Sequence, residues 1–107
     1  MEVIKQRIMK KLFYLIAALL LLFAGYSQTA QEYFDRGITK FNLENFAEAI
    51  VDFTKAIEID PKYAIAYVFR GRLKITLGQK ESACLDFRKA GELGRAYAWE
   101  DIKKYCQ

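Results

Sequence analysis

The 107-residue chain contains no histidine. This removes the side chain most often used as a general acid or base, and the commonest metal ligand. No serine sits in a Gly-x-Ser-x-Gly turn, and no glycine-rich loop of the phosphate-cradling kind opens a helix. The only two cysteines, Cys84 and Cys106, lack Cys-x-x-Cys spacing, and there is no histidine to activate either thiol. No catalytic, cofactor or metal site is therefore expected, and the chain is not read as an enzyme. Acidic residues are scattered. Glu48 and Asp52 lie four apart and read as a solvated helix face, paired across a turn with Lys55, rather than as a carboxylate dyad. Strict two-residue alternation is missing throughout, which argues against strands.

A net positive charge is also largely missing from the body of the chain. The formal charge is +4, but residues 1–27 carry Lys5, Arg7, Lys10 and Lys11 against Glu2 alone. Residues 28–107 are left with 13 basic and 12 acidic side chains, so bulk charge gives no support for nucleic-acid binding. The single long apolar run, Leu12 to Phe23, has 12 residues and is short of the roughly 20 a bilayer span requires. After a basic start it reads as the core of a secretory signal covering residues 1–27. Gly25 and Ser27 supply small residues before a cut at Gln28, and no cysteine follows the run to receive a lipid. The expectation is an exported protein, periplasmic or secreted, with a signal of bacterial style. The alternative is an uncleaved N-terminal membrane anchor, and only then would the membrane be a partner.

What the chain does have is a 34-residue pattern written twice. Shifting by 34 positions brings Ala30 onto Ala64, Tyr33 onto Tyr67, Arg36-Gly37 onto Arg70-Gly71 and Lys40 onto Lys74. Further along, Ala49 falls on Ala83, Asp52-Phe53 on Asp86-Phe87, and Lys55-Ala56 on Lys89-Ala90. With Leu43, Glu58 and Tyr63 also repeated, 13 of 34 positions are identical. A fixed period of this length marks a repeat architecture, in which stacked units bury a continuous core.

The aromatic and small residues of this pattern resemble those of the tetratricopeptide repeat family. In the first copy they are Tyr33, Gly37, Phe46, Ala49, Phe53, Ala56 and Pro61; in the second, Tyr67, Gly71, Ala83, Phe87 and Ala90. Lys80 and Arg95 depart from Phe46 and Pro61, as suits a terminal repeat. The resemblance implies an all-α domain over 28–107, with helix-turn-helix repeats at 30–63 and 64–97 in a short α-solenoid. Helices are expected at about 30–42, 46–59, 61–77 and 80–93, with Gly78 and Gly94 as left-handed stops. Pro61 suits the first turn of the third of these. A last amphipathic helix at about 95–105, with Ala98, Trp99, Ile102 and Tyr105 as contacts, would cap the array.

Two repeats are few for a solenoid, and about 80 residues make a marginal core. If the capping helix folds back, Cys106 approaches Cys84, and a bridge over about 22 residues would add roughly 3 kcal/mol. Two unpaired thiols are the alternative. Arg36 and Arg70 recur at one phase, which suggests pairing with a repeated acid such as Asp52 or Asp86 rather than a ligand site. Members of the family generally bind peptides or protein segments on the concave face of their first helices. The matching positions are Phe34, Ile38, Phe41 and Asn42 in the first repeat, and Val68, Arg72, Ile75 and Thr76 in the second. Phe34 and Ile38 stand where one subgroup has its carboxylate clamp, so that clamp is absent. The expectation is an apolar groove with Arg72 as its fixed charge, taking a protein or peptide partner. The rival is a structural subunit whose own copies fill the same face, giving a homo-oligomer.

Overall fold

The computed structural model describes residues 1–26 and 28–107, without the side chains of 23–26; Ser27, at the expected signal cut, lies outside the described residues. Six α-helices and no strands are found among the described residues: α1 (Glu2–Tyr26), α2 (Ala30–Asn42), α3 (Phe46–Ile59), α4 (Ala64–Thr76), α5 (Lys80–Glu92) and α6 (Ala98–Tyr105). Helices α2 and α3 form the first repeat, α4 and α5 the second. Packing runs α2 on α3, α3 on α4, α4 on α5 and α5 on α6. The first helices of successive units begin at Ala30, Ala64 and Ala98, so α6 continues the 34-residue register as the capping helix.

Each element has a local cause. Thr29 caps α2 by accepting a hydrogen bond from the Glu32 amide at 3.2 Å. At the ends of α2, α4 and α5 the chain turns through a left-handed residue, at Glu44 (φ 62°), Gly78 (φ 78°) and Gly94 (φ 98°). The amide after it reaches back to a helix carbonyl: Asn45 to Lys40, Gln79 to Lys74 and Arg95 to Ala90. Glycine takes this conformation at no steric cost, whereas Glu44 bears it in the first repeat. Helix α4 starts at Ala64, later than the sequence suggested. The Asp60 carboxylate accepts from the Lys62 amide at 3.0 Å and the Asp60 carbonyl from the Tyr63 amide at 3.0 Å. This closes a turn that holds Pro61 outside the helix. The capping helix likewise starts at Ala98 rather than near Arg95, because residues 96–97 form a turn.

Within each repeat the two helices meet at a glycine. A β-carbon on Gly37 would come within 2.5 Å of the Phe53 ring, and one on Gly71 within 2.6 Å of Phe87. Both rings are fully buried, as are Ala49, Ala56, Ala83 and Ala90. Tyr67 donates its hydroxyl to the Pro61 carbonyl at 3.0 Å, and burial pushes its pKa above the ordinary phenol value. The described side chains of α1 are mostly exposed, Leu12, Leu19, Leu20 and Leu21 among them. Among the described residues, no helix is long and apolar enough to cross a membrane.

Candidate interaction face

The repeated acids are built into the fold. Asp52 on α3 and Asp86 on α5 are 1% and 5% exposed, so they do not lie on the solvated face that the spacing of Glu48, Asp52 and Lys55 suggested. A buried carboxylate needs cationic partners. Asp86 receives two hydrogen bonds from Arg70, at 2.7 and 2.9 Å, and the Lys74 ammonium at 2.9 Å. Asp52 has Lys40 at 2.8 Å and Arg36 at 3.9 Å. The pairing of the repeated arginines with Asp52 and Asp86 is therefore observed, and the repeated lysines join it. Each arginine also lies over the tyrosine three residues before it, Arg36 over Tyr33 and Arg70 over Tyr67. Arg70 and Lys74 thereby belong to the framework, while Arg36 is only loosely paired and keeps half of its side chain exposed.

The eight concave-face positions separate into three groups. Phe34 is half-buried within an aromatic cluster, with ring centroids 5.5 Å from each of Phe53, Tyr63 and Phe69. Ile38 is also half-buried and packs on the core of Ala49, Phe53 and Leu73. Phe34 thus joins the repeats together rather than lining an open groove. Val68 is a clear correction. It is fully buried with Tyr67, Ala90 and Ala98, because α6 lies across it. Arg72 is already engaged. Its guanidinium donates to the Asp101 carboxylate of α6 at 2.9 and 3.3 Å. Arg72 nevertheless stays exposed, as do Phe41, Asn42 and Thr76, and Ile75 is half-buried. The Phe41 ring meets Phe69 edge-on at 6.5 Å and lies 5.9 Å from Phe46.

Sequence reasoning missed Phe69 and Asp101. By the 34-residue shift Phe69 corresponds to Asp35 and Asp101 to Tyr67, so recurrence could not mark either. The repeated Lys40 and Lys74 were visible as identities and could have been assigned to the repeated acids. Cys84 and Cys106 form a disulfide, with Cα atoms 5.8 Å apart.

Family models for the tetratricopeptide repeat match residues 30–63 and 64–97, together 68 of the 107 residues. The chain belongs to the tetratricopeptide repeat family. No curated protein matches it. Tetratricopeptide repeats generally mediate protein–protein interactions and are typically not catalysts, and stacking such units creates the concave surfaces these proteins use for binding.

Proposed function

We propose that the protein is an exported, non-enzymatic interaction module that holds a peptide or protein segment against the concave side of its repeats. The contact surface is the part left accessible: Phe41 and Asn42 on α2, Ile75 and Thr76 on α4, with the edge of Ile38 and the exposed side of Arg72, which stays paired with Asp101. One observation carries the reading. Phe41 and Ile75 occupy the same position of the two repeats, both are apolar, and Phe41 keeps 37% of its surface exposed within an otherwise packed aromatic cluster. A partly exposed aromatic ring with room to be covered by a partner is the kind of anchor on which binding energy concentrates.

A photo-crosslinking residue in place of Asn42, in the full chain made in an exporting cell, is expected to trap a distinct partner. Phe41→Glu should reduce the captured amount at least about tenfold, with the melting temperature little changed, as for a truncated hot-spot anchor. A crosslink to a second copy would establish the self-association reading instead. The absence of both products would end the interaction reading for this face.

Export rests on the basic start, the 12-residue apolar run and the exposure of the leucines of α1. Intact-mass measurement of envelope-extracted protein should give a chain beginning at Gln28. Recovery of residues 1–107 in the membrane fraction would mean an anchor.

A further inference from the structure

Helix α6 sits on two of the residues that the family resemblance assigns to the concave face. Its Ala98 shares a buried cluster with Val68, Tyr67 and Ala90, and its Asp101 pairs with Arg72, whose other side stays exposed. Helix α6 packs along α5 but is short. It has eight residues, fewer than the roughly 12–15 an isolated helix needs to persist in water. Only Ala98 and Asp101 of the eight are buried. Beyond these, Tyr105 stacks on Phe87 with centroids 6.1 Å apart, and Trp99 lies over Gly91, where a β-carbon would come within 2.7 Å of the indole. Helices α3 and α5, by contrast, each bury a phenylalanine completely. The covalent hold comes just past the end of α6, where Cys106 is bonded to Cys84 of α5.

We propose that α6 is a strap over the second-repeat half of the concave face, held closed by the Cys84–Cys106 disulfide and opened by reduction. This deepens the interaction reading above and rests on it. The bond lies at an open cleft that Lys80, Glu81, Leu85 and Arg88 also line. Cys106 is partly exposed while Cys84 is 6% exposed, so an incoming thiolate reaches the Cys106 sulfur. The reductant is a dithiol. Its first thiolate forms a mixed disulfide with Cys106 Sγ, and Cys84 Sγ departs as a thiolate and takes up a proton. The second thiol of the reductant then attacks the mixed disulfide. Cys106 leaves as a thiol and the reductant becomes a disulfide, with two electrons transferred in all.

Without the bond, α6 is the least stable unit of the fold and detaches before α2–α5 open. Val68 is then uncovered and the Arg72 guanidinium is released from Asp101. The groups that α6 vacates define what can replace it: a segment presenting a small apolar residue to Val68 and a carboxylate to Arg72.

The test is hydrogen exchange on the full chain, with and without dithiothreitol, after thiol titration of the reduced sample has shown two free thiols. Reduction is expected to speed exchange of the 98–105 amides at least about tenfold, while α2–α4 change by less than about twofold. Acrylamide quenching of Trp99, the only tryptophan, should rise in parallel. Cys106→Ser should give the same result without reductant. Unchanged protection of 98–105 in the reduced protein would overturn the proposal. So would equal loss of protection through α2–α5, which would make the bond a staple of the whole domain. No ligand is added, so a groove that binds nothing leaves this result intact, and a strap that stays shut leaves the Phe41→Glu result intact.

Discussion

Asp86→Ala is expected to remove a large share of the protein's stability, whereas Asp52→Ala removes little. The two acids hold the same repeat position, so the difference lies in their surroundings. Arg70 and Lys74, the partners of Asp86, have only 16% and 13% of their side chains exposed. Thr54 of the preceding repeat closes over Arg70 at 3.2 Å. Removing the carboxylate leaves two cations in a low-dielectric site with no counter-charge. Breaking one side of such a buried pair costs about 3–5 kcal/mol. A domain of this length has only about 5–10 kcal/mol in total. The partners of Asp52 can turn to water instead, since Arg36 is 51% exposed and Lys40 26%. Urea denaturation followed by circular dichroism should place the Asp86→Ala midpoint well below that of Asp52→Ala. Equal midpoints would show that the two sites are equivalent and that burial does not govern their energies.

The same contrast explains how far the sequence could be read. Recurrence at 34 residues carries the helix pairs, the glycine–phenylalanine packing and the charged partners, because each is made within a repeat and is therefore written twice. Gly37 with Phe53 and Gly71 with Phe87 are one contact seen in two places. The Cys84–Cys106 bond was legible for a different reason: folding the last amphipathic helix back left it few places to lie.

What recurrence cannot give is depth of burial on the concave side, since that depends on the next unit along. Phe34 and Val68 share a position, but Phe34 meets Tyr63 at the end of its own repeat and Phe69 from the second, while Val68 shares a buried cluster with Ala98 of α6. Ile38 and Arg72 also share a position, and their neighbours differ as much: Ile38 packs on the cluster of Ala49, Phe53 and Leu73, whereas Arg72 meets Asp101. The deciding residues, Phe69 and Asp101, are those without a counterpart in the other repeat. Phase along a helix was therefore readable, and the identity of the covering neighbour was not.

Phe34→Glu puts this distinction to the strongest test. Placed by phase alone, Phe34 and Phe41 both belong to an open groove, and a charge at either would be tolerated. In the fold, the Phe34 ring lies against Phe53 at 5.5 Å, and two further rings, Tyr63 and Phe69, meet it edge-on at interplanar angles of 86° and 84°. Truncating a packed phenylalanine costs about 3–5 kcal/mol, and each edge-to-face ring pair removed with it adds about 0.5–1.5 kcal/mol. The substitution also brings a carboxylate among aromatic rings, where it must stay hydrated or take up a proton. Phe34→Glu should therefore leave little cooperative unfolding transition, while Phe41→Glu, at a partly exposed position, should fall within about 1 kcal/mol of the parent. Thermal melts of the two variants side by side decide the matter. If Phe34→Glu melts like the parent chain, the aromatic cluster does not join the repeats, and Phe34 returns to the binding face.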